Sequence, residues 1–61
     1  MINYIGRRAW VESKYFDISH SGVYECIRQE GDNFFVFKLT ESSELVVFGY
    51  DKAKRIKWLK E

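Results

Sequence analysis

The sequence predicts an all-β fold: a small, five-stranded, strongly bent antiparallel sheet or barrel, with one short helical turn near 51–54. Three observations point that way. Two successive runs, FFVFKL at 34–39 and ELVVFGY at 44–50, are β-branched or aromatic almost throughout. Polar, turn-forming stretches, EGDN at 30–33 and TESS at 40–43, delimit them. Finally, the closing IKWL at 56–59 alternates as a strand does, placing Ile56 and Trp58 on one face.

In chain order, RRAWVES at 7–13 follows Gly6 and reads as a first strand, with Arg7, Ala9 and Val11 opposed to Arg8, Trp10 and Glu12. KYFDISHS at 14–21 lacks alternation and carries Asp17, Ser19 and Ser21, which marks a loop or a single helical turn. GVYECIRQ at 22–29 alternates Val23, Glu25, Ile27 and Gln29 with Tyr24, Cys26 and Arg28, a second strand. The next two strands depart from simple alternation. Phe34 and Val36 occupy one face and Phe35, Phe37 and Leu39 the other, while Leu45 and Val47 oppose Val46, Phe48 and Tyr50. Strands apolar on both faces are normally covered on both faces. In so short a chain the second cover comes either from outside or from Tyr4, Ile5, Tyr15, Phe16 and Ile18 folding back.

The last element has two readings. As an α-helix with Asp51 as N-cap, residues 52–60 would gather Ala53, Ile56 and Leu59 on one arc and leave Trp58 exposed between Lys54 and Arg55. With only 51–54 turning and 55–60 extended, Ile56 and Trp58 face inward. Energetics favour the second, because burying a large side chain gives about 1.5–3 kcal/mol against a total stability of only about 5–15 kcal/mol. Lys52 and Lys54 in a first turn would also oppose the helix dipole.

Size sharpens that argument. A single domain of 61 residues hides only about 60% of the surface its unfolded chain exposes, so its core must be dense. Eleven aromatic residues supply it, each ring burying about 150–250 Å². There is no Pro, no low-complexity stretch and no repeat, so residues 1–61 parse as one unit. The lone Cys26 offers neither an internal disulfide nor a zinc site, and a free thiol suits a reducing compartment. With no apolar run near the ~20 residues a membrane span needs, the expectation is a soluble, cytoplasmic protein without membrane, metal or cofactor.

Charge is uneven beneath a net +1. Residues 1–51 carry five cations against eight acids, and residues 52–61 five against one. Such a basic pole on an acidic body hints at an electrostatic partner.

The order of strand, loop, three antiparallel strands, the turn DKAKR and the last strand IKWL resembles the small SH3-like and Sm-like β-barrels. LVVFGYDKAKRIKWL at 45–59 is similar to the end of Sm-like domains, where a strand enters a short turn before the final strand. The likeness covers the apolar pattern of 7–60 and implies a barrel. Sm-like RNA binders place a polar nucleotide-contacting residue in the third strand, and FFVFK has no Asn or Asp there. The resemblance therefore does not carry ring-pore RNA binding with it.

Catalytic sets are poor. Asp17, Ser19 and His20 can be written as a triad, but near-adjacent residues do not take up the separate positions a triad requires, and His20 reads as a loop histidine. Cys26 has no neighbour arranged to lower its pKa and reads as a small buried residue. No phosphate loop or metal-ligand spacing occurs. The sequence thus predicts a non-enzymatic, regulatory interaction module that binds another protein or a second copy of itself as a homodimer or larger. In size it resembles phage-encoded or bacterial accessory proteins that modulate a larger host protein. The candidate surface is the aromatic strand face of Phe34, Phe35, Phe37, Phe48 and Tyr50. The alternative is single-stranded nucleic-acid binding through Arg7, Arg8, Lys52, Lys54, Arg55, Lys57 and Lys60, with Trp10, Tyr50 or Trp58 as stacking surfaces.

Overall fold

The structure, a computed structural model, describes residues 3–60; Met1, Ile2 and Glu61, which the single-domain expectation over 1–61 also takes in, lie outside the described residues. The elements run β1 (Arg8–Val11), α1 (Ser13–Phe16), β2 (Gly22–Glu30), β3 (Phe34–Leu39), β4 (Leu45–Gly49), α2 (Tyr50–Ala53) and β5 (Lys57–Trp58). All five strands pair antiparallel in one sheet, in the order β4-β3-β2-β1-β5. The fold is all-β as expected, with the helical turn one residue earlier than the sequence placed it.

Three strands are shorter than the sequence suggests: β1, β5 and also β4, which loses Glu44 and yields Tyr50 to α2. The first ends at Val11 because Glu12 leads into α1, where Ser21 Oγ accepts from the Ser13 N–H at 2.8 Å and donates to Glu12 at 2.9 Å. Asp17 then closes the turn in the left-handed region at φ 56°, its N–H returning to the Ser13 carbonyl. The last strand keeps only two residues, because the turn continues past α2: the Lys54 and Arg55 N–H groups still bond back to Tyr50 and Lys52. Extended geometry resumes soon enough to bury Ile56 and half-bury Trp58. The turn-and-strand reading of 52–60 is the correct one.

The sheet is strongly curled. β3 and β5 are separated by β2 and β1, yet the Phe37 and Trp58 rings are 5.6 Å apart, far closer than three strand spacings of about 4.8 Å would allow in a flat sheet. A register shift between Cys26 and Arg28 leaves Ile27 as an extra residue in β2, and bulges of this kind increase local bend and twist. Ala9 is small where it lies between Tyr24 and Trp58 in register, which lets the concave side close. Gly22 is under similar pressure: a side chain there would meet Leu39 Cδ1 at 2.9 Å.

The concave side holds the core of Ala9, Val11, Phe16, Tyr24, Cys26, Phe35, Phe37, Phe48, Ala53 and Ile56. Tyr4 stacks on Trp58 at 4.5 Å and meets Phe35 edge-on, while Phe16 packs on Phe48. The fold-back expected of Tyr4, Phe16 and Ile18 therefore happens, but it covers this inner face. Tyr15 and Ile5 take no part and are exposed. In a helical turn adjacent side chains diverge by about 100°, so directing Phe16 inward turns Tyr15 out. Gly6, at φ 91°, lets the N-terminal segment bend alongside β2, where Gly6 and Cys26 donate to Cys26 and Arg7 carbonyls respectively. No helix among the described residues is long and apolar enough to cross a membrane.

Candidate functional site

The most exposed strand of the sheet is β4. Its sequence, LVVFG, is a strand former that ends where Gly49 precedes α2. It lies at one edge, paired only to β3. The Leu39 N–H donates to the Glu44 carbonyl at 3.0 Å. In an antiparallel ladder bonded pairs alternate, so from Leu39–Glu44 the bonded positions continue to Val46 and Phe48. The main-chain groups of Leu45, Val47 and Gly49 consequently point away from the sheet.

The same alternation sorts the side chains. Val46 and Phe48 face the core, while Leu45 and Val47 face outward and are 54% and 61% exposed. On β3, Val36 lies opposite Val47, and Phe34 lies opposite Gly49, which has no side chain to cover it. The result is an outer apolar strip of Phe34, Val36, Leu45 and Val47. On its β2 side the strip meets charge: Arg28 and Glu30, in register with Val36 and Phe34, form an ion pair at 2.9 Å. On its other side lies the free edge. Beyond that edge an open groove of about 510 Å³ runs between β4 and the segment 16–19, with Glu44 and Lys52 also in its lining.

The predicted aromatic surface needs correction. Phe35, Phe37 and Phe48 are at most 2% exposed and form the core, so they present nothing to a partner. A small domain spends its largest rings on its own interior, as it does with Trp58. Phe34 remains half-buried on the outer strip. Tyr50 is exposed at the start of α2, with the Lys54 ammonium 5.4 Å from its ring centroid. Alternation in the sequence sets Leu45 and Val47 on the opposite face from Phe48, outside the predicted aromatic set. The usable signal was the aliphatic composition of that face beside an all-aromatic one.

The members of the basic set are held in different ways. Arg7 sits over the Tyr4 and Trp58 rings at 5.5 and 5.4 Å, and Lys52 over Phe48 at 5.8 Å. Arg8 lies on the outer face of β1 opposite Glu25. Arg55, Lys57 and Lys60 are exposed. Trp58 is no stacking platform: Tyr4 covers one ring face, and its indole N–H donates to the Ala53 carbonyl at 3.2 Å. Trp10 is different. It is 42% exposed on the outer face, in register with Lys57 and two residues from Arg8.

His20 is exposed, with Nδ1 3.1 Å from a Glu44 carboxylate oxygen, while its carbonyl accepts the buried Tyr24 hydroxyl at 2.6 Å. Burial pushes the Tyr24 phenol up, and the Glu44 charge adds to this. Cys26 is fully buried, and burial likewise pushes its thiol up, against a weaker downward pull from the Arg28 backbone; the thiol itself donates to the Arg28 carbonyl at 3.5 Å. That environment stabilises the neutral thiol rather than the nucleophilic thiolate. Among the described residues no three His, Cys, Asp or Glu side chains gather as a metal would need. Compared with protein-family models, curated proteins and solved structures, the chain matches none.

Proposed function

We propose that this protein is a non-enzymatic interaction module that receives an extended polypeptide along the free edge of β4. The observation that carries the reading is an edge strand, Leu45–Gly49, with no charge, no proline and no bulge, beside exposed Leu45 and Val47. Natural edge strands are usually guarded by one of those devices. An unguarded edge offers main-chain hydrogen bonds for affinity and alternating side chains for selectivity, which is the physics of strand addition. The test is an affinity capture with two baits, the natural chain and Val47→Lys, read by mass spectrometry. Proteins held by the first and lost from the second, the chain itself included, support the reading. Identical captures, or none, reject it.

A second reading rests on Trp10. An exposed indole with Lys57 in register and Arg8 nearby is a local stacking site for a single-stranded nucleic acid. A titration with oligonucleotides at two salt concentrations tests it, since phosphate contacts make affinity fall steeply with salt. Absence of binding at low salt ends it.

A further inference from the structure

We infer that the strand received by β4 is the β4 of a second copy, paired antiparallel about a two-fold axis through Val47. The inference rests on the strand-addition reading and names its partner. The outward main-chain groups belong to Leu45, Val47 and Gly49, a set symmetric about Val47. A two-fold axis there pairs Leu45 with Gly49 of the other copy, Val47 with Val47, and Gly49 with Leu45. Val47 with Val47 is a bonded pair in which both N–H groups donate across the seam, and the Gly49 N–H donates to Leu45 of the other copy, while the Gly49 carbonyl, at the N-cap of α2, serves that helix. A shift by one residue would set outward groups against inward ones and leave them unpaired.

Charge selects the same arrangement. β4 is preceded by Glu41 and Glu44 and followed by Asp51, Lys52, Lys54 and Arg55, so its two ends carry net charge of opposite sign. Antiparallel self-pairing brings the acidic end of one copy beside the basic end of the other. Parallel pairing would align like with like, at a cost. The side chains agree as well: Val47 meets Val47 on the outer face, and the strips of Phe34, Val36, Leu45 and Val47 from the two copies run together across the seam. A closed, isologous contact of this kind yields a dimer and stops there.

A five-residue seam is small beside the roughly 1,600 Å² of a standard stable interface, so the dimer is weak and its population depends on concentration. Sedimentation equilibrium from micromolar to millimolar chain measures it. The expected result is a reversible monomer–dimer equilibrium. Val47→Lys and Val47→Glu each place like charges face to face on the axis and weaken it by about tenfold or more. An equimolar mixture of the two variants restores association, because opposite charges then meet. Where a variant fails to fold, amide hydrogen exchange on the natural chain replaces it: protection at Leu45, Val47 and Gly49 rises with concentration. A monomer throughout the range overturns the inference, as does a dimer indifferent to Val47→Lys or an inert mixture. A monomeric chain that still captures a different protein in a Val47-dependent way overturns self-pairing and leaves the strand-addition reading standing.

Discussion

The two faces of β3 and β4 are written by alternate letters of the same two short runs, and they meet opposite fates. On the concave face Phe35, Phe37 and Phe48 are sealed under Tyr4, Phe16 and Trp58. On the convex face Leu45 and Val47 stand open, with Val36 and Phe34 half covered. The difference teaches where a small domain runs short. Its two helical turns and its N-terminal segment are enough to roof one face of the sheet, and burial favours the larger rings. The aliphatic face is left without a roof, and the free edge of β4 lies directly beside it.

The largest expected effect breaks the sealed side. Phe37→Ala removes a ring that packs against Phe48 and Trp58, and deletions of buried Phe cost about 3–5 kcal/mol. In a domain whose total lies near the low end of about 5–15 kcal/mol, chemical denaturation should show most of the folded population lost. Tyr4→Ala comes next. It takes away the stacked partner of Trp58 and the edge contact to Phe35, for about 2 kcal/mol from the aromatic pairs and the half-buried ring. Tryptophan fluorescence should shift to the red in the folded state as Trp58 gains water. An unshifted spectrum would mean that Tyr4 does not roof the core.

A third prediction uses the thiol of the concave face. Burial holds the folded Cys26 thiol above its ordinary value, so as pH rises past about 8.5, where free thiols ionise, the unfolded chain releases its proton first. The contribution to stability is complete below that pH and is lost as pH climbs through the raised value of the folded thiol. The urea midpoint should therefore fall through this window, and Cys26→Ala should flatten the fall. The Tyr24 phenol, shifted in the same direction, extends the loss to higher pH. A thiol reagent should reach Cys26 only as fast as the sheet opens.

Much of this was legible in the letters. The β3 run reads as a strand over 34–39 and forms one over the same residues, because β-branched and aromatic residues bounded by turns leave little choice. Burial weighed against total stability places Trp58 inward, and it packs against the core. Two things were not legible. Which of two apolar faces becomes the concave one depends on the sense of curl, set by pairing between distant strands and by the extra residue at Ile27, and no local periodicity encodes that. The edge position of β4 depends on strand order. Until β5 is known to pair with β1, the main-chain groups of Leu45, Val47 and Gly49 cannot be recognised as outward-facing, and the aromatic letters draw attention to the wrong side.

The smallest expected effect is the most discriminating. Val47→Thr keeps a β-branched shape and strand propensity while replacing one methyl with a hydroxyl on the convex face. If that face is bare in the single chain, the substitution falls in the range of surface changes, within about 0.5 kcal/mol, when unfolding is followed at low micromolar concentration. At millimolar concentration the same substitution should cost more if, as proposed, the residue sits on a seam between two copies and loses apolar contact in both. A cost above about 1 kcal/mol at low concentration would show that the chain covers its own convex face, and the contrast between the two faces would fail. A cost that appears only on concentrating the protein would locate the missing cover in a second molecule.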